Sequence, residues 1–218
     1  MKPIMEKVGK DSKPGACNTV YVVDDEPSVR KALSRLLRSA GLKCEVFASA
    51  DEFLAHERES PAEGGCLVLD VQMPGLNGMD LQEALSAGEG RLPIIFITGH
   101  GDIPLSVRAM KKGAVDFLTK PFDDKDLLSA IAVALRKGEE ARARFAEITQ
   151  FRDREQTLTT RERDVMARVV AGLLNKQIAA ELGIEEGTVK IHRGRVMQKM
   201  GVQSVAELVK MTSGITDQ

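Results

Sequence analysis

Tryptophan is absent from this chain of 218 residues, and tyrosine occurs once. So few aromatic rings argue against the stacking platforms on which proteins bind single-stranded nucleic acid. Cysteines are also few, and Cys17, Cys44 and Cys66 have neither the spacing of a zinc site nor that of a disulfide framework. Cys66 lies in an apolar run, where we expect a small buried side chain. Unpaired thiols indicate a reducing compartment, and we expect the cytoplasm.

Long hydrophobic runs are missing as well. No apolar stretch reaches the ~18 residues that span a membrane, so we expect no membrane partner. Residues 1–17 are polar and lack the apolar core of a signal peptide, which predicts a flexible N-terminal tail. Neither charge sign is in excess, because the formal net charge is -1. A surface that binds nucleic acid therefore has to be sought locally.

Residues 18–137 alternate short apolar runs with amphipathic helical patterns. This alternation predicts an α/β domain of five β/α units, (βα)5, in which helices cover both faces of a doubly wound parallel sheet. Runs rich in β-branched residues suit strands that are buried on both sides. The runs are Thr19–Val23, Cys44–Phe47, Cys66–Asp70, Pro93–Thr98 and Ala114–Leu118.

A charge-rich stretch without proline follows at residues 138–157. We interpret it as a helical linker that continues the fifth helix, with a flexible charged tether as the alternative. Residues 158–218 return to helical patterns without strands, which predicts a small all-α domain of four helices.

The ends of these four helices follow from capping residues. The first is expected to start at Thr159 or Thr160, with Glu162 in its first turn. The second is expected to end at Gly183, because glycine adopts a positive φ easily. The third is predicted to end near Met200, and the fourth to run from near Ser204 to Met211.

Polar side chains stand at the ends of the predicted strands. Asp24 and Asp25 end the first strand, Asp70 ends the third, Thr98 ends the fourth, and Lys120 follows the fifth. Ligands of open parallel sheets bind at this edge, and converging carboxylates repel one another unless a cation lies among them. Oxygen ligands favour Mg²⁺, or Mn²⁺, so the pattern predicts a phosphoryl site in which a carboxylate attacks. For any single carboxylate, a helix cap or a solvated loop residue is the alternative.

Four segments of this region carry a family signature: Val-Val-Asp-Asp-Glu-Pro (22–27), Leu-Asp-Val-Gln-Met-Pro-Gly-Leu-Asn-Gly (69–78), Ile-Thr-Gly-His-Gly-Asp (97–102) and Phe-Leu-Thr-Lys-Pro-Phe (117–122). They resemble the receiver domain of response regulators. The resemblance implies that Asp70 accepts the phosphoryl group, and that Asp24, Asp25 and the backbone carbonyl of Gln72 bind the metal together with Asp70. It also implies that Lys120 pairs with the acyl phosphate and that Lys120-Pro121 is a cis peptide.

The same resemblance implies a conformational switch. Thr98 is expected to move onto a phosphoryl oxygen, and the ring of Phe117 to swing into the space left, although Phe117 also fits a plain core position. The surface that rearranges would carry a phosphorylation-dependent dimer contact. For Lys111 and Lys112, a solvated face is the alternative. The residues of the rearranging surface are Ile103, Val107, Arg108, Lys111 and Lys112.

A hydrolase of the phosphatase type is the enzymatic alternative for this domain. Such an enzyme needs a second acid beside its nucleophile, and Val71 and Gln72 cannot serve as one. We therefore expect only slow self-dephosphorylation, with Gln72 and His100 near the attacking water.

The stretch 187–200 contains basic residues and no acid. This composition favours contact with DNA phosphates, whereas a merely solvated helix usually mixes charge signs. A helix, a turn at 183–187 and a second, basic helix form a helix-turn-helix whose second helix enters the major groove. Thr188 is expected to cap that helix and to contact phosphate. The basic residues and the histidine of the stretch are Lys190, His192, Arg193, Arg195 and Lys199.

Three segments of the second domain carry another signature: Leu-Thr-Thr-Arg-Glu-Arg-Asp-Val-Met (158–166), Asn-Lys-Gln-Ile-Ala-Ala-Glu-Leu-Gly-Ile (175–184) and Thr-Val-Lys-Ile-His-Arg-Gly-Arg-Val-Met-Gln-Lys-Met (188–200). They resemble the LuxR-type DNA-binding domain. The resemblance implies that Lys190, Ile191 and the position of Gly194 face base edges. Phosphate contacts or supporting roles would fall to Asn175, Lys176, Thr188, His192 and Arg195.

Three further expectations follow from this resemblance. Arg161 and Glu162 would hold the domain together near its first turn, and the helix at 205–211 would make a dimer contact or pack within the domain. Gly194 departs from relatives that have lysine there. Either the backbone approaches the DNA closely at Gly194, or Arg193 and Arg195 take over the readout.

A receiver domain followed by a LuxR-type domain resembles the layout of the NarL/FixJ subfamily, and the motifs are more similar to the FixJ side of that subfamily. The two resemblances imply a two-component response regulator that a histidine kinase phosphorylates and that then dimerises on double-stranded promoter DNA. It would activate transcription through RNA polymerase, with repression as the alternative. We do not expect the protein to be a metabolic enzyme, because the second domain has no set of residues typical of a catalytic site. The competing hypothesis is a phosphorylation-controlled protein whose helical domain binds another protein.

Overall fold

The computed structural model describes residues 19–60, 62, 64–86, 92–99 and 103–216. The expected tail at 1–17, Cys17 and His100 lie outside the described residues. The chain divides into two compact units, Met1–Ala143 and Arg144–Gln218, and the division falls inside one long helix. Our finer boundaries at residues 17, 137 and 157 stay predictions.

The first unit is the predicted α/β domain. Within the described residues, five strands form one parallel sheet in the order β2-β1-β3-β4-β5, with helices between successive strands. This arrangement confirms the doubly wound (βα)5 fold. In chain order its elements are β1 (Thr19–Val23), α1 (Pro27–Ser39), β2 (Lys43–Phe47), α2 (Ala50–Glu59), β3 (Cys66–Asp70), α3 (Gly78–Ser86), β4 (Ile94–Thr98), α4 (Ile103–Lys111), β5 (Asp116–Thr119) and α5 (Asp124–Gln156).

Apolar side chains cover both faces of this sheet, because successive residues of a strand point to opposite sides. Tyr21 and Leu69 belong to one core together with residues of α2, α3 and α4. Val22 and Val68 belong to the other core, against α1 and α5. The strands β1, β3 and β4 are buried along their whole length, so their carboxyl ends are held rigidly at one edge. Cys66 is fully buried, as expected.

The fifth strand starts later than we predicted. The backbone N–H of Ala114 donates to the carbonyl of Ala109 at 3.1 Å and so completes the turn that ends α4. The N–H of Val115 then donates to the carbonyl of Ile94 at 2.7 Å, and the paired residues begin with Asp116 opposite Ile95. The strand therefore starts two residues later than predicted and ends one residue later.

The second unit contains the last turns of α5 and the helices α6 (Thr160–Val170), α7 (Asn175–Leu182), α8 (Glu186–Met200) and α9 (Val205–Thr216). Thr159 is the N-cap of α6, and Glu162 completes a capping box with it. Gly183 ends α7 with a φ of 64°, as predicted. Buried residues of every one of these helices share one core, and Phe151 of α5 belongs to it.

Two helix ends in this unit differ from our expectations. Thr188 does not cap α8, because the helix already starts at Glu186 and the N–H of Thr188 bonds the carbonyl of Glu185 at 3.0 Å. Thr188 thus lies in the first turn. The last helix continues past Met211 to Thr216. Along the described ranges, no helix combines the length and the apolar character needed to cross a membrane.

Candidate functional site

Three carboxylates meet at the carboxyl ends of two neighbouring strands. Asp24 and Asp25 follow β1, and Asp70 is the last residue of β3, which pairs with β1. Carboxylate oxygens of the three residues lie within 4.8 Å of one another. Asp24 and Asp70 are buried, whereas Asp25 is half-buried. A group of oxygen donors this close together is able to bind a metal ion.

The ammonium of Lys120 lies between two of these carboxylates. Its Nζ is 2.7 Å from Asp24 Oδ2 and 2.8 Å from Asp70 Oδ2. Burial raises the pKa of Asp24 above its ordinary value, against the opposing effect of the Lys120 hydrogen bond. Burial by itself would lower the pKa of Lys120, yet its bonds to Asp24 and Asp70 raise that pKa overall. The site therefore holds a positive group between two buried carboxylates.

Backbone groups hold the two carboxylates in place. The N–H of Glu26 donates to Asp24 Oδ1 at 2.8 Å, and the N–H of Gln72 donates to Asp70 Oδ1 at 3.1 Å. Arg30 adds a contact that we did not foresee, since its Nη1 donates to the carbonyl of Asp24 at 2.6 Å. The expected use of the Gln72 carbonyl as a metal ligand stays a prediction.

A close backbone approach supports the loop that follows Asp70. The N–H of Gly78 donates to the carbonyl of Val71 at 3.0 Å. A Cβ atom at Gly78 would lie only 2.3 Å from the carbonyl oxygen of Asp70. Only glycine therefore lets α3 start this near to the end of β3.

The two expected switch residues lie on β4, which pairs with the strand of Asp70, and on β5 beyond it. Thr98 is fully buried at the end of β4, and its carbonyl accepts from the N–H of Lys120 at 2.7 Å. Phe117 on β5 is half-buried, with its ring centroid 6.2 Å from that of Phe96. The Lys120-Pro121 peptide is cis, as the resemblance implied.

The helix α4 exposes apolar side chains at one end and is bound to α3 at the other. Ile103 is 80% exposed, and Val107 is 46% exposed. At the opposite end, Gln82 Nε2 donates to the carbonyls of Ala109 and Lys112 at 3.4 Å each. Lys112 also forms an ion pair with Glu83, so this lysine of the expected rearranging surface is bound within the domain.

The helix α8 presents a polar, basic face to solvent. Lys190, Gly194 and Arg195 are exposed, and Ile191 is 57% exposed although it is apolar. The opposite face packs in the core of the unit. Its buried residues are Val189, Val196 and Met200.

Two of the expected DNA contacts are bound to each other. Arg193 Nη1 donates to Asn175 Oδ1 at 2.6 Å, which ties α8 to the first residue of α7. Lys176 beside Asn175 is exposed. His192 is half-buried, and its Nδ1 has no hydrogen-bond partner among the described residues.

Lys199 makes its contacts inside the helical unit. Its Nζ lies 2.7 Å from Glu162 Oε2 and 2.9 Å from the carbonyl of Thr157. The hydrogen bond from Lys199 lowers the pKa of Glu162 to about 2, with help from the N–H of Thr159. Arg161 donates to the carbonyl of Leu182 at 3.1 Å. Glu162 and Arg161 therefore join elements of the unit, as expected, while a DNA contact by Lys199 stays a prediction.

Arg154 makes a contact that no sequence pattern indicates. Its Nη1 donates to the carbonyl of Met200, the last residue of α8, at 2.8 Å. The guanidinium packs on Gly201, where an added Cβ would lie 2.8 Å from Nη1. Arg154 near the end of α5 thus caps the C-terminus of the basic helix α8.

Comparison with known families finds a match in each unit. A model of the response regulator receiver domain matches residues 20–132, which contain the carboxylate cluster and Lys120. A model of bacterial regulatory proteins of the luxR family matches residues 156–212, which contain α6 to α8 and most of α9.

Individual proteins are similar along nearly the whole chain. Nodulation protein W of Bradyrhizobium diazoefficiens is 49% identical over 193 residues, covering 88% of this chain and 84% of that protein. Transcriptional regulatory protein FixJ of the same species is 43% identical over 192 residues, covering 88% of this chain and 93% of that protein. The solved structure of response regulator StyR matches with a TM-score of 0.79 at 51% identity, covering 91% of this chain and 99% of that one.

Proposed function

The chain belongs to the two-component response regulators of the NarL/FixJ type, which join a receiver domain to a LuxR-type DNA-binding domain, and on this basis we propose that phosphorylation of Asp70 controls promoter binding. A receiver implies a histidine kinase as partner, and a LuxR-type domain implies DNA binding. The observation that carries the proposal is the position of the Lys120 ammonium. Its Nζ lies 2.8 Å from Asp70 Oδ2 and 2.7 Å from Asp24 Oδ2.

Asp70 acts as the nucleophile. One of its carboxylate oxygens attacks the phosphorus of the donor, the bond from phosphorus to the histidine of the kinase breaks, and an acyl phosphate remains on Asp70. Mg²⁺, or Mn²⁺, held by Asp24, Asp25, Asp70 and the carbonyl of Gln72, would neutralise charge on the phosphoryl oxygens. Lys120 gives up part of its contact with Asp70 and pairs with a phosphoryl oxygen.

Phosphorylation of Asp70 changes the positions of Thr98 on β4 and Phe117 on β5. The hydroxyl of Thr98 donates to a phosphoryl oxygen, and the ring of Phe117, which is half-buried, moves toward the space that Thr98 leaves. The state with both residues moved is favoured by phosphorylation, which shifts the population toward it. This state presents the exposed apolar end of α4, with Ile103 and Val107, to a second copy of the chain.

The kinase docks beside Lys120. A cleft there is lined by Val29 and Leu36 of α1 and by Phe122, which follows the cis peptide. All three apolar side chains are half-buried. A partner that delivers a phosphoryl group to Asp70 has to cover this edge of the sheet, so the cleft lies where its contact is needed.

The helical unit binds double-stranded promoter DNA through α8. Lys190 and Ile191 on its exposed face enter the major groove, and Lys176 and Arg195 contact phosphate. His192, Thr188 and the Arg193–Asn175 pair support the helix. Two copies bind half-sites about one helical turn apart. The bound dimer activates transcription through RNA polymerase, in the cytoplasm where the promoter lies.

Phosphorylation is tested by incubating the full chain with acetyl phosphate and Mg²⁺ and measuring its intact mass. We expect a gain of one phosphoryl group in the wild type and in Asp80→Asn, an exposed carboxylate near the site, and no gain in Asp70→Asn. Omission of Mg²⁺ should abolish the gain. Equal labelling of Asp70→Asn and the wild type would place the phosphoryl group elsewhere and overturn the proposal.

A further inference from the structure

The middle of the exposed face of α8 carries no side chain. Gly194 lies within Glu186–Met200 and is exposed, with helix on both sides. Lys190 and Ile191, about one turn earlier, are exposed on the same side of the helix. Gly194 thus interrupts the one face of α8 that the domain core leaves free.

The fold of the helical unit does not require glycine at this position. A Cβ atom at Gly194 would meet no described atom within 4 Å, and its φ is not positive. Gly201 is different, because its φ is 67° and the guanidinium of Arg154 packs against it. Inside an exposed helix, glycine lowers the folding equilibrium about fivefold relative to alanine. Stability alone therefore favours a side chain at Gly194.

A bare backbone on an exposed helix face lets another molecule approach the main chain closely. We propose that Gly194 is a specificity-determining residue, at which the backbone of α8 lies directly against base edges in the major groove. The inference deepens the proposed function and rests on it. A side chain at this position holds α8 away from the groove, so the contacts of Lys190 and Ile191 with the bases are weakened.

The contacts of Arg193 favour a close approach of the backbone at Gly194. The alternative is that Arg193 and Arg195 take over the readout of the bases. If neighbouring arginines replaced the missing side chain, Arg193 would have to be free to reach the bases. Its Nη1 instead donates to Asn175 Oδ1 at 2.6 Å within the unit. Arg195 is exposed, but successive residues of a helix are about 100° apart, so its side chain leaves α8 in a different direction from position 194.

The test compares stability with binding in the full chain. Wild-type protein, activated with Mg²⁺ and beryllofluoride, first selects a duplex from a randomised library, and that duplex is the probe. We expect Gly194→Ala to raise the unfolding temperature of the helical unit by about 4 °C. The same variant should bind the selected duplex about tenfold more weakly, a loss typical of weakened base contacts. Its affinity for a scrambled duplex should stay unchanged, because that binding depends on phosphate contacts.

Ala167→Gly in α6 is the matched control, since Ala167 is an exposed residue inside another helix of the unit. It should lower stability and leave both affinities unchanged. Undiminished affinity of Gly194→Ala for the selected duplex would overturn the inference and leave the proposed function intact. If the wild type enriches no sequence at all, the proposed function itself fails.

Discussion

The guanidinium of Arg154, two residues before the end of α5, donates a hydrogen bond to the carbonyl of Met200 at the end of α8. A positive side chain at a helix C-terminus satisfies a free carbonyl and interacts favourably with the helix dipole. Phe151, one turn earlier in α5, is 5% exposed in the core of the same unit. The last turns of α5 are therefore part of the helical unit and hold the predicted recognition helix at its end.

We expect Arg154→Met to lower the stability of the helical unit by ~1 kcal/mol, because a charged hydrogen bond is lost while the apolar stem is kept. Arg154→Lys should recover part of that loss. Differential scanning calorimetry of the full chain measures both changes. Arg152→Met is the control, because Arg152 is exposed on the same turn and should have no effect. Equal stability of Arg154→Met and the wild type would contradict the account.

The ion pair between Lys199 and Glu162 predicts an unusually low pKa for the Glu162 carboxyl group. Glu162 should titrate with a pKa of about 2, against its ordinary value of 4.5. Because the folded-state pKa is depressed, the contribution of Glu162 to stability is complete above pH 4.5 and is lost as the pH falls through about 2.

Carboxyl-carbon NMR during an acid titration measures this pKa. Lys199→Met should raise it, since the hydrogen bond from Lys199 is the largest cause of the shift. Lys190→Met removes an exposed lysine of the same helix and should leave the pKa of Glu162 where it was. An unshifted pKa in the wild type would show that Lys199 does not pair with Glu162.

Removal of the ammonium at the carboxylate cluster should separate metal binding from phosphorylation. Lys120→Met should slow phosphorylation of Asp70 about a hundredfold, because a preorganised positive group no longer meets the phosphoryl oxygens. Binding of Mn²⁺, followed by electron paramagnetic resonance, should become stronger because no ammonium competes for Asp24 and Asp70. Lys125→Met changes an exposed lysine and should alter neither property. A normal rate of phosphorylation in Lys120→Met would contradict the role given to Lys120.

The thiol of Cys66 should be unreactive in the folded protein. Burial raises its pKa to about 12, so almost none of it is thiolate at neutral pH. In a Cys17→Ser background, Ellman's reagent should label Cys44, which is half-buried, and should label Cys66 only after unfolding. Rapid labelling of both thiols in the native state would show that the core around Cys66 opens easily.

Much of the carboxylate site was predictable because a parallel sheet brings the ends of its strands to one edge. The position of Asp70 at the end of a buried apolar run was enough to place it beside Asp24. The same argument placed Lys120, which follows the fifth strand, at this edge, whereas its pairing with an acyl phosphate was implied only by the resemblance. The capping box at Thr159 and Glu162 was nearly predictable, since the spacing of the two residues narrowed the start of α6 to two positions.

Contacts of side chains with distant backbone groups were not predictable. Arg154 and Met200 are 46 residues apart, and every residue has a carbonyl, so no pattern of residue types marks the one that accepts. The bond from Arg30 to the carbonyl of Asp24 was missed for the same reason. Thr188 was wrongly expected to be a cap because capping propensity favours threonine, whereas the backbone already turns into helix after Glu185.

The most direct test of the central claim is to measure oligomeric state and DNA binding together, in one sedimentation experiment with a labelled promoter duplex. We expect wild-type protein with Mg²⁺ and beryllofluoride to dimerise and to bind the duplex more tightly than untreated protein does, whereas Asp70→Asn should respond in neither respect. If association and DNA affinity are the same in treated wild type, untreated wild type and Asp70→Asn, then Asp70 does not control the output and the account is contradicted.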